Sequence, residues 1–452
     1  MSPALPVLST FCRRYGAASA LLLALVLAGC GGPKVARPAG PPQATPLTAP
    51  PAAEAPAPSE VTPLETPQPA NPQVGGPGVA GLLLPLSGPN AALGQGMLDA
   101  AQMALFDVPD AHLTLLPRDT RGSPDGAAAA ARDLLDQGVR ILIGPLTAPE
   151  VSAVKPIAQE RGVPVLAFST AANLAGDGTY LLGFLPSEEV RRVVTFAHDK
   201  GAQRFAVLAP ATPYGRLVAD ALKSAAQQQN LTVTQSVSFD PTALDPSPAV
   251  RTLAQYDSRK AALDAQRRQL QLAHDPASDE ALKRLGDQQL AGDVPFDAVL
   301  LPIGGQQLKT IAPMLPSYGL DRARVHYLGT GIWDDPSLLE VPELDGAWYA
   351  APDPAGRAEF EKRFQTLYGH PSPRLSTLAY DATALAAALT RGDQGANFSA
   401  DALGNENGFL GLDGIFRLRP DGRVERGLAV LEIHKTGAVV VGPAPQSFGA
   451  GF

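Results

Sequence analysis

Residues 141–174 read ILIGPLTAPEVSAVKPIAQERGVPVLAFSTAANL, and the order of apolar and polar blocks in this stretch decides the fold. Val139–Ile143 and Val163–Phe168 are short apolar runs suited to buried strands, and the sequence between them has the length of a helix. Each strand ends on small polar residues: Gly144-Pro145-Leu146-Thr147 after the first, Ser169-Thr170 after the second. Strand, polar turn and helix leading to another strand make the unit of a parallel α/β sheet, whose ligands collect at the carboxyl ends of the strands. Backbone N–H groups there, with the hydroxyls of Thr147, Ser169 and Thr170, suit a carboxylate. The other use of the same hydroxyls is to cap the helices that follow.

The unit recurs in both directions along the chain. Upstream, VAGLLLPLSGPNAALGQGMLDAAQMALFDV (residues 79–108) gives a strand at Val79–Leu84, a loop at Ser87–Asn90 and a helix carrying Leu98, Met103 and Leu105. Further strands are expected at Leu113–Leu116, Phe205–Leu208, Thr232–Phe239, Ala298–Ile303 and Val325–Leu328, with helices such as Gly126–Gln137 and Tyr214–Gln228 between them. The fold class is therefore α/β with mostly parallel sheets. About 370 residues from Val79 onward exceed what one hydrophobic core usually organises, so two lobes are expected.

Composition narrows the function. With 45% hydrophobic and 18% charged residues the chain has ample core-forming material, and its net charge of -8 argues against nucleic acid, which demands a basic surface. His112, His198, His274, His326, His370 and His434 show no HxH or HxxxH spacing, so no metal site is expected. Gly94-Gln95-Gly96 begins a dinucleotide-like pattern but Asp99 stands at its third glycine, no P-loop is present, and AFSTA lacks the glycines of a nucleophile elbow. Neither catalysis nor a cofactor is expected; the partners are small molecules or proteins.

The amino-terminal region has its own organisation. Arg13 and Arg14 precede an apolar run that is too short for the ~20 residues of a membrane-crossing helix, and residues 1–29 have the layout of a secretory signal. The junction Leu27-Ala28-Gly29-Cys30 resembles the lipobox of bacterial lipoproteins. That resemblance implies acylation of Cys30 and, from Gly31, lodging in the inner leaflet of the outer membrane, facing the periplasm. Cys12 falls within the leader, so no disulfide is expected. Residues 31–78 hold 14 of the 45 prolines and read with Cys30 as a disordered tether, with a reach on the order of 150 Å at ~3.1 Å per residue.

Five segments in order, LLLPLSGPNAALGQGMLDAAQMAL, ILIGPLTAPEVSAVKPIAQERGVPVLAFST, FAVLAPATPYGR, LGTGIWDDP and AYDATALAAAL, resemble the type I periplasmic binding proteins of the Leu/Ile/Val-binding kind. The resemblance spans nearly all of residues 79–452. It implies two Rossmann-like lobes joined by three crossings, near Leu185, near Tyr349 and around Leu410, with a ligand cleft between them. The first lobe is expected at about 79–185 and 350–409, the second at about 186–349 and 410–452. Carried over by motif, Ser87, Thr147 and Ala148 line the first lobe's rim, Ser169 and Thr170 hold a ligand carboxylate, and Tyr214 closes from the second lobe.

Two departures matter. Amino-acid binders of this kind usually present an acid to the ligand ammonium, whereas the corresponding loop here reads Gly329-Thr330-Gly331-Ile332-Trp333, and Asp334 and Asp335 suit capping of the turn after them. Thr330 offers only a dipole, so free amino acids are expected to bind weakly, and Trp333 is read either as a stacking surface or as a core residue. The second departure is a helical insertion at about 245–292, where Val250, Leu253, Leu263 and Leu270 form a narrow apolar stripe and Arg251, Arg259, Lys260, Arg267 and Arg268 face away from it. That insertion, GTGIWDDP, the lipobox and the tether together resemble the penicillin-binding-protein activator lipoproteins, which act by contact with a peptidoglycan synthase. The expected function is therefore activation of a penicillin-binding protein, the alternative being a solute-binding protein of an ABC transporter for branched-chain amino acids or a related metabolite.

Overall fold

The computed structural model describes residues 75–391 and 395–448; the leader, Cys30 and the tether up to residue 74 lie outside them. The tether was expected to run to residue 78, but the chain already joins the fold at Gly75, whose N–H donates to Ala396. Among the described residues no helix is long and apolar enough to cross a membrane.

The first lobe begins β1 (Gly78–Leu84), α1 (Ala91–Asp107), β2 (Leu113–Asp119), α2 (Pro124–Asp136), β3 (Ile141–Ile143), α3 (Ala148–Glu160), β4 (Val165–Ala167) and β5 (Thr179–Leu181). Its five strands are all parallel in the order β2-β1-β3-β4-β5. The run Leu82-Leu83-Leu84 is buried on both faces: Leu82 and Leu84 pack with Met97 and Ala101, Leu83 with Leu134 and Val151. That is why β1 reads as a continuous apolar block rather than an alternation. Gly94 lets α1 cross close above the end of β1, since a Cβ there would stand 2.1 Å from the Pro85 carbonyl oxygen.

The second lobe follows with α4 (Pro186–Asp199), β6 (Arg204–Pro210), α5 (Pro213–Gln228), β7 (Thr232–Phe239), α6 (Ser247–Leu253), α7 (Tyr256–Ala273), α8 (Pro276–Leu285), β8 (Ala298–Leu300), α9 (Gly305–Ile311), α10 (Met314–Ser317), β9 (His326–Gly329) and β10 (Trp348–Ala351). The chain returns through α11 (Pro354–Tyr368), α12 (Ser376–Ala388), α13 (Ala400–Leu403), β11 (Phe409–Gly411), β12 (Gly414–Leu418) and β13 (Val424–Arg426). It ends in β14 (Ala429–His434) and β15 (Gly437–Gly442). The second sheet runs β15-β14-β10-β9-β8-β6-β7, parallel from β10 to β7 and antiparallel at β14 and β15.

The third crossing departs from expectation. It was placed around Leu410, but β11, β12 and β13 form a separate antiparallel sheet, and Phe416, Leu418 and Val424 bury themselves in the first lobe's core. The chain passes to the second lobe only after β13, where Leu428 and Val430 join the other core. The insertion also divides in two. Val250, Leu253 and Ala254 are fully buried in the second lobe, whereas the helical pair α7–α8 buries few residues, among them Leu263 and Arg259. Arg259 was expected to face away from the apolar stripe; instead its guanidinium is buried and donates to the carbonyls of Ala254, Ala291 and Gly292 at 3.2, 3.2 and 2.8 Å. It fastens the base of the pair, while Arg267 ties α7 to the carbonyls of Gly286 and Gln288.

Candidate functional site

A cavity of about 280 Å³ opens between the lobes. The first lobe contributes Thr170, Arg374 and Leu375, the second Glu189, Tyr214, Gly331 and Ile332, and the first two crossings contribute Phe184, Pro186, Ala351 and Pro352. Strand ends and helix starts from both sheets converge here for the reason the sequence suggests: parallel strands aim their carboxyl ends at one edge.

An acid enters the cavity from α4 rather than from the loop after β9: Glu189. It lies in the first turn of α4 on the face of Val190 and Val193, only 6% exposed, and accepts the Gly331 N–H at 3.0 Å. Burial pushes its pKa up to about 7, against the opposing pull of the Gly331 N–H and the Arg374 charge. Arg374 lies across the ring of Phe184, 4.7 Å from its centre, and reaches Asp413 at 3.5 Å and Asp334 at 3.6 Å. Both ion pairs are long, so the guanidinium keeps capacity for another anion. The cavity thus has a carboxyl and a cation set in largely apolar walls.

The residues named from the sequence fall into two groups. Thr170 and Tyr214 line the cavity, and Thr330 supports it from behind, its buried hydroxyl 2.7 Å from the Tyr214 hydroxyl. Burial raises the Tyr214 pKa, so it stays a neutral phenol. Ser87 does not line the cavity, because its hydroxyl donates to Asp119 at 2.6 Å. The same carboxylate accepts the N–H groups of Leu86, Ser87 and Arg121, closing the loop between β1 and α1. Thr147 donates through both N–H and hydroxyl to Glu150, at 2.9 and 2.6 Å, and so serves the start of α3 at Ala148. Ser169 is buried and its hydroxyl oxygen accepts from Ala171 N–H at 3.2 Å; neither Thr147 nor Ser169 is among the residues lining the cavity.

Trp333 resolves as a core residue, 1% exposed, its indole N–H donating to the Ile303 carbonyl at 2.8 Å. Its ring covers Gly329, where a Cβ would come within 2.1 Å. The two aspartates after it part company. Asp335 caps the following turn through Ser337 N–H at 2.9 Å, but Asp334, also expected to cap, ion-pairs with Arg357 at 3.0 Å. Arg357 belongs to α11, whose Phe360 and Phe364 pack on Ala100 and Met103 of α1; Asp334 therefore links the lobes.

Behind Phe184 stands a second guanidinium. Arg426 of β13 is buried, 5.0 Å from the Phe184 ring centre and 5.2 Å from that of Phe416, and donates to the Leu182 carbonyl at 2.7 Å. Asp413 and Asp381 supply its compensating charge. Burial, then the Asp413 charge, push the Asp381 carboxyl well above the usual carboxylate range. This cluster ties α12, β13 and the first crossing together and backs the wall on which Arg374 rests.

Sequence reasoning missed Glu189 and Arg374. A faint signal existed for the first: in PSEEVRRVV the second glutamate shares its helical face with Val190 and Val193, a position for a core residue rather than a solvated acid.

Known proteins match this chain at three levels. Its residues 79–438 fit the family model described as periplasmic binding protein. Two curated relatives, an uncharacterized protein of Rickettsia prowazekii (24% identical over 176 residues) and a Leu/Ile/Val-binding protein of Rhizobium johnstonii (28% over 155 residues), match 38% and 32% of this chain. The matches span 46% and 42% of those relatives' own lengths, under half in each case. Among solved structures, a putative branched-chain amino acid ABC transporter protein from Rhodospirillum rubrum superposes with a TM-score of 0.63 at 19% identity, over 80% of this chain and 99% of that one. Two lobes built on mostly parallel sheets, a cavity where their strand ends meet, and a family match running from β1 into β15 agree: the chain belongs to the periplasmic binding protein family.

Proposed function

We propose that this chain is the solute-binding component of an ABC transporter and takes an amino acid or a closely related carboxylate between its lobes. The observation that carries the reading is the pairing of Glu189 with Arg374 across one apolar-walled cavity. An ammonium suits the first and a carboxylate the second, and the apolar walls suit a hydrocarbon side chain. The expectation that free amino acids bind weakly rested on the missing acid after β9; with Glu189 on α4 that reason falls away. Such a role is binding, not catalysis. Calorimetric titration with the twenty amino acids and with simple monocarboxylates is the test: saturable binding of at least one supports the reading, and no binding across the whole set overturns it.

One feature favours a second reading, activation of a penicillin-binding protein by contact. The α7–α8 pair is mostly exposed and adds little to the core, as a partner surface would. Replacing residues 268–285 by a short glycine-serine link spares Val250, Leu253, Arg259 and Leu263, so the melting temperature is expected to stay within about 2 °C. Loss of a synthase from pulldowns of solubilised envelope would support this reading; unchanged capture, or no capture by the intact chain, removes it. Either reading accords with a periplasmic protein held by lipid at Cys30, and Cys30→Ala is then expected to move the chain from the membrane fraction to the soluble one. Retention of that variant in membranes excludes acylation.

A further inference from the structure

A second cavity, about 350 Å³, lies beside the hinge, between α4, α5 and the turn joining β12 to β13. Its polar groups are mostly donors: the guanidinium groups of Arg191, Arg419 and Arg423, the hydroxyls of Ser187 and Ser224, and the amide of Gln228. The carboxylates around it are each engaged. Glu188 pairs with Arg191 at 2.7 Å, Asp421 with Arg423 at 2.8 Å and Glu425 with Arg417 at 2.9 Å. Four arginines thus face three carboxylates, and Arg419 is left over: among the described residues its guanidinium forms no ion pair or hydrogen bond, although Asp421 feels its charge.

We propose that this cavity binds a phosphate group. A donor-rich recess with one uncompensated guanidinium is satisfied by a compact oxyanion, which can accept from several arginines and hydroxyls at once, and the volume leaves room for a small organic body beyond the phosphate. The walls come from both lobes. The β12–β13 turn is fixed to the first lobe by the Leu181 N–H donating to the Gly422 carbonyl at 2.8 Å, whereas Arg191 and Ser224 ride on the second. The first turn of α4 also serves both cavities, Ser187 and Glu188 turning to this one and Pro186 and Glu189 to the cleft. A phosphate held here therefore bridges the lobes across the hinge without entering the cleft.

Phosphate can arrive free or on a lipid headgroup, and the test separates the two. The full-length chain is titrated with inorganic phosphate against sodium chloride of equal ionic strength, and separately sedimented with phosphatidylglycerol and with phosphatidylcholine vesicles. The expected result is a saturable thermal shift with phosphate that chloride does not reproduce, or sedimentation with phosphatidylglycerol alone. Arg419→Ala weakens it about ten- to a hundredfold, and Arg419→Lys, which keeps the charge, recovers part of it. Arg419 is exposed and its replacement leaves both cores intact, so circular dichroism and melting without phosphate stay at wild-type values. Equal shifts in phosphate and chloride with no vesicle binding, or phosphate binding that Arg419→Ala leaves unchanged, overturn the proposal.

Discussion

Glu189→Gln is expected to lower affinity for an ammonium-bearing ligand about ten- to a hundredfold, the worth of one charged hydrogen bond out of water, and to abolish a pH dependence that the native protein displays. In the empty cleft the Glu189 pKa is raised to about 7 by burial, and an ammonium binds the ionised form. Below pH 7 the competent fraction falls about tenfold per unit, and apparent affinity falls with it. Near pH 6 each binding event releases close to one proton, which calorimetry reads as a heat that varies with the buffer's ionisation enthalpy. A ligand with a carboxylate and no amine reverses the sign. It avoids the charged form of Glu189 and binds better below pH 7 than above. Affinity that is flat from pH 5.5 to 8 and unchanged in the glutamine variant removes Glu189 from the site.

The second large effect lies at the hinge. Arg426→Met takes away the buried charge that compensates Asp381 and Asp413 while keeping most of the apolar volume between Phe184 and Phe416. Breaking one side of a buried charge cluster typically costs about 3–5 kcal/mol, which for a domain of this size corresponds to a melting temperature lower by roughly 5 °C. The loss is greatest at pH 8 and smaller at pH 5, where protonation of Asp381 removes part of the uncompensated charge. Adding Asp381→Asn and Asp413→Asn to Arg426→Met restores much of the stability. A single variant melting within about 2 °C of the native protein at pH 8 would mean that the cluster contributes little. The native chain carries its own pH signature. Glu189 and Asp381 both hold their protons more tightly folded than unfolded, so their contribution is fully present below about pH 4 and is lost as pH rises through about 7. Ligand-free protein is therefore expected to be more stable at pH 5 than at pH 8.

Much of this molecule was legible in the chain itself. The parallel strands β1 to β4 and β6 to β9 were expected within a few residues of their ends, because burial on both faces writes a continuous apolar run and the helices between them keep their own period. Tyr214, expected from the family's motif to close on the cleft from the second lobe, lies in the first turn of α5 and lines the cavity. The strands β5 and β10 to β15 escaped, as did the true third crossing, because they fall outside the regular strand–helix repeat that marks the others, and a short run by itself does not say which core it joins.

What sequence by itself determined, then, is the α/β class, the two lobes and the edge where the cavity between them opens. Tertiary structure alone decided which side chains meet there. Glu189 reaches Gly331 across 142 positions, Arg426 reaches Leu182 across 244, and Arg357 reaches Asp334 across 23 through a different lobe. Whether a carboxyl is a solvated helix-start acid or a buried group poised near neutrality depends on how much water its distant neighbours exclude and which charges they bring. Trp333 and Ser87 make the same point in reverse: each has the right chemistry for a ligand, and each is claimed first by a partner, the Ile303 carbonyl and Asp119, that only the folded chain brings within reach. Periodicity is a property of the chain, but desolvation is a property of the fold.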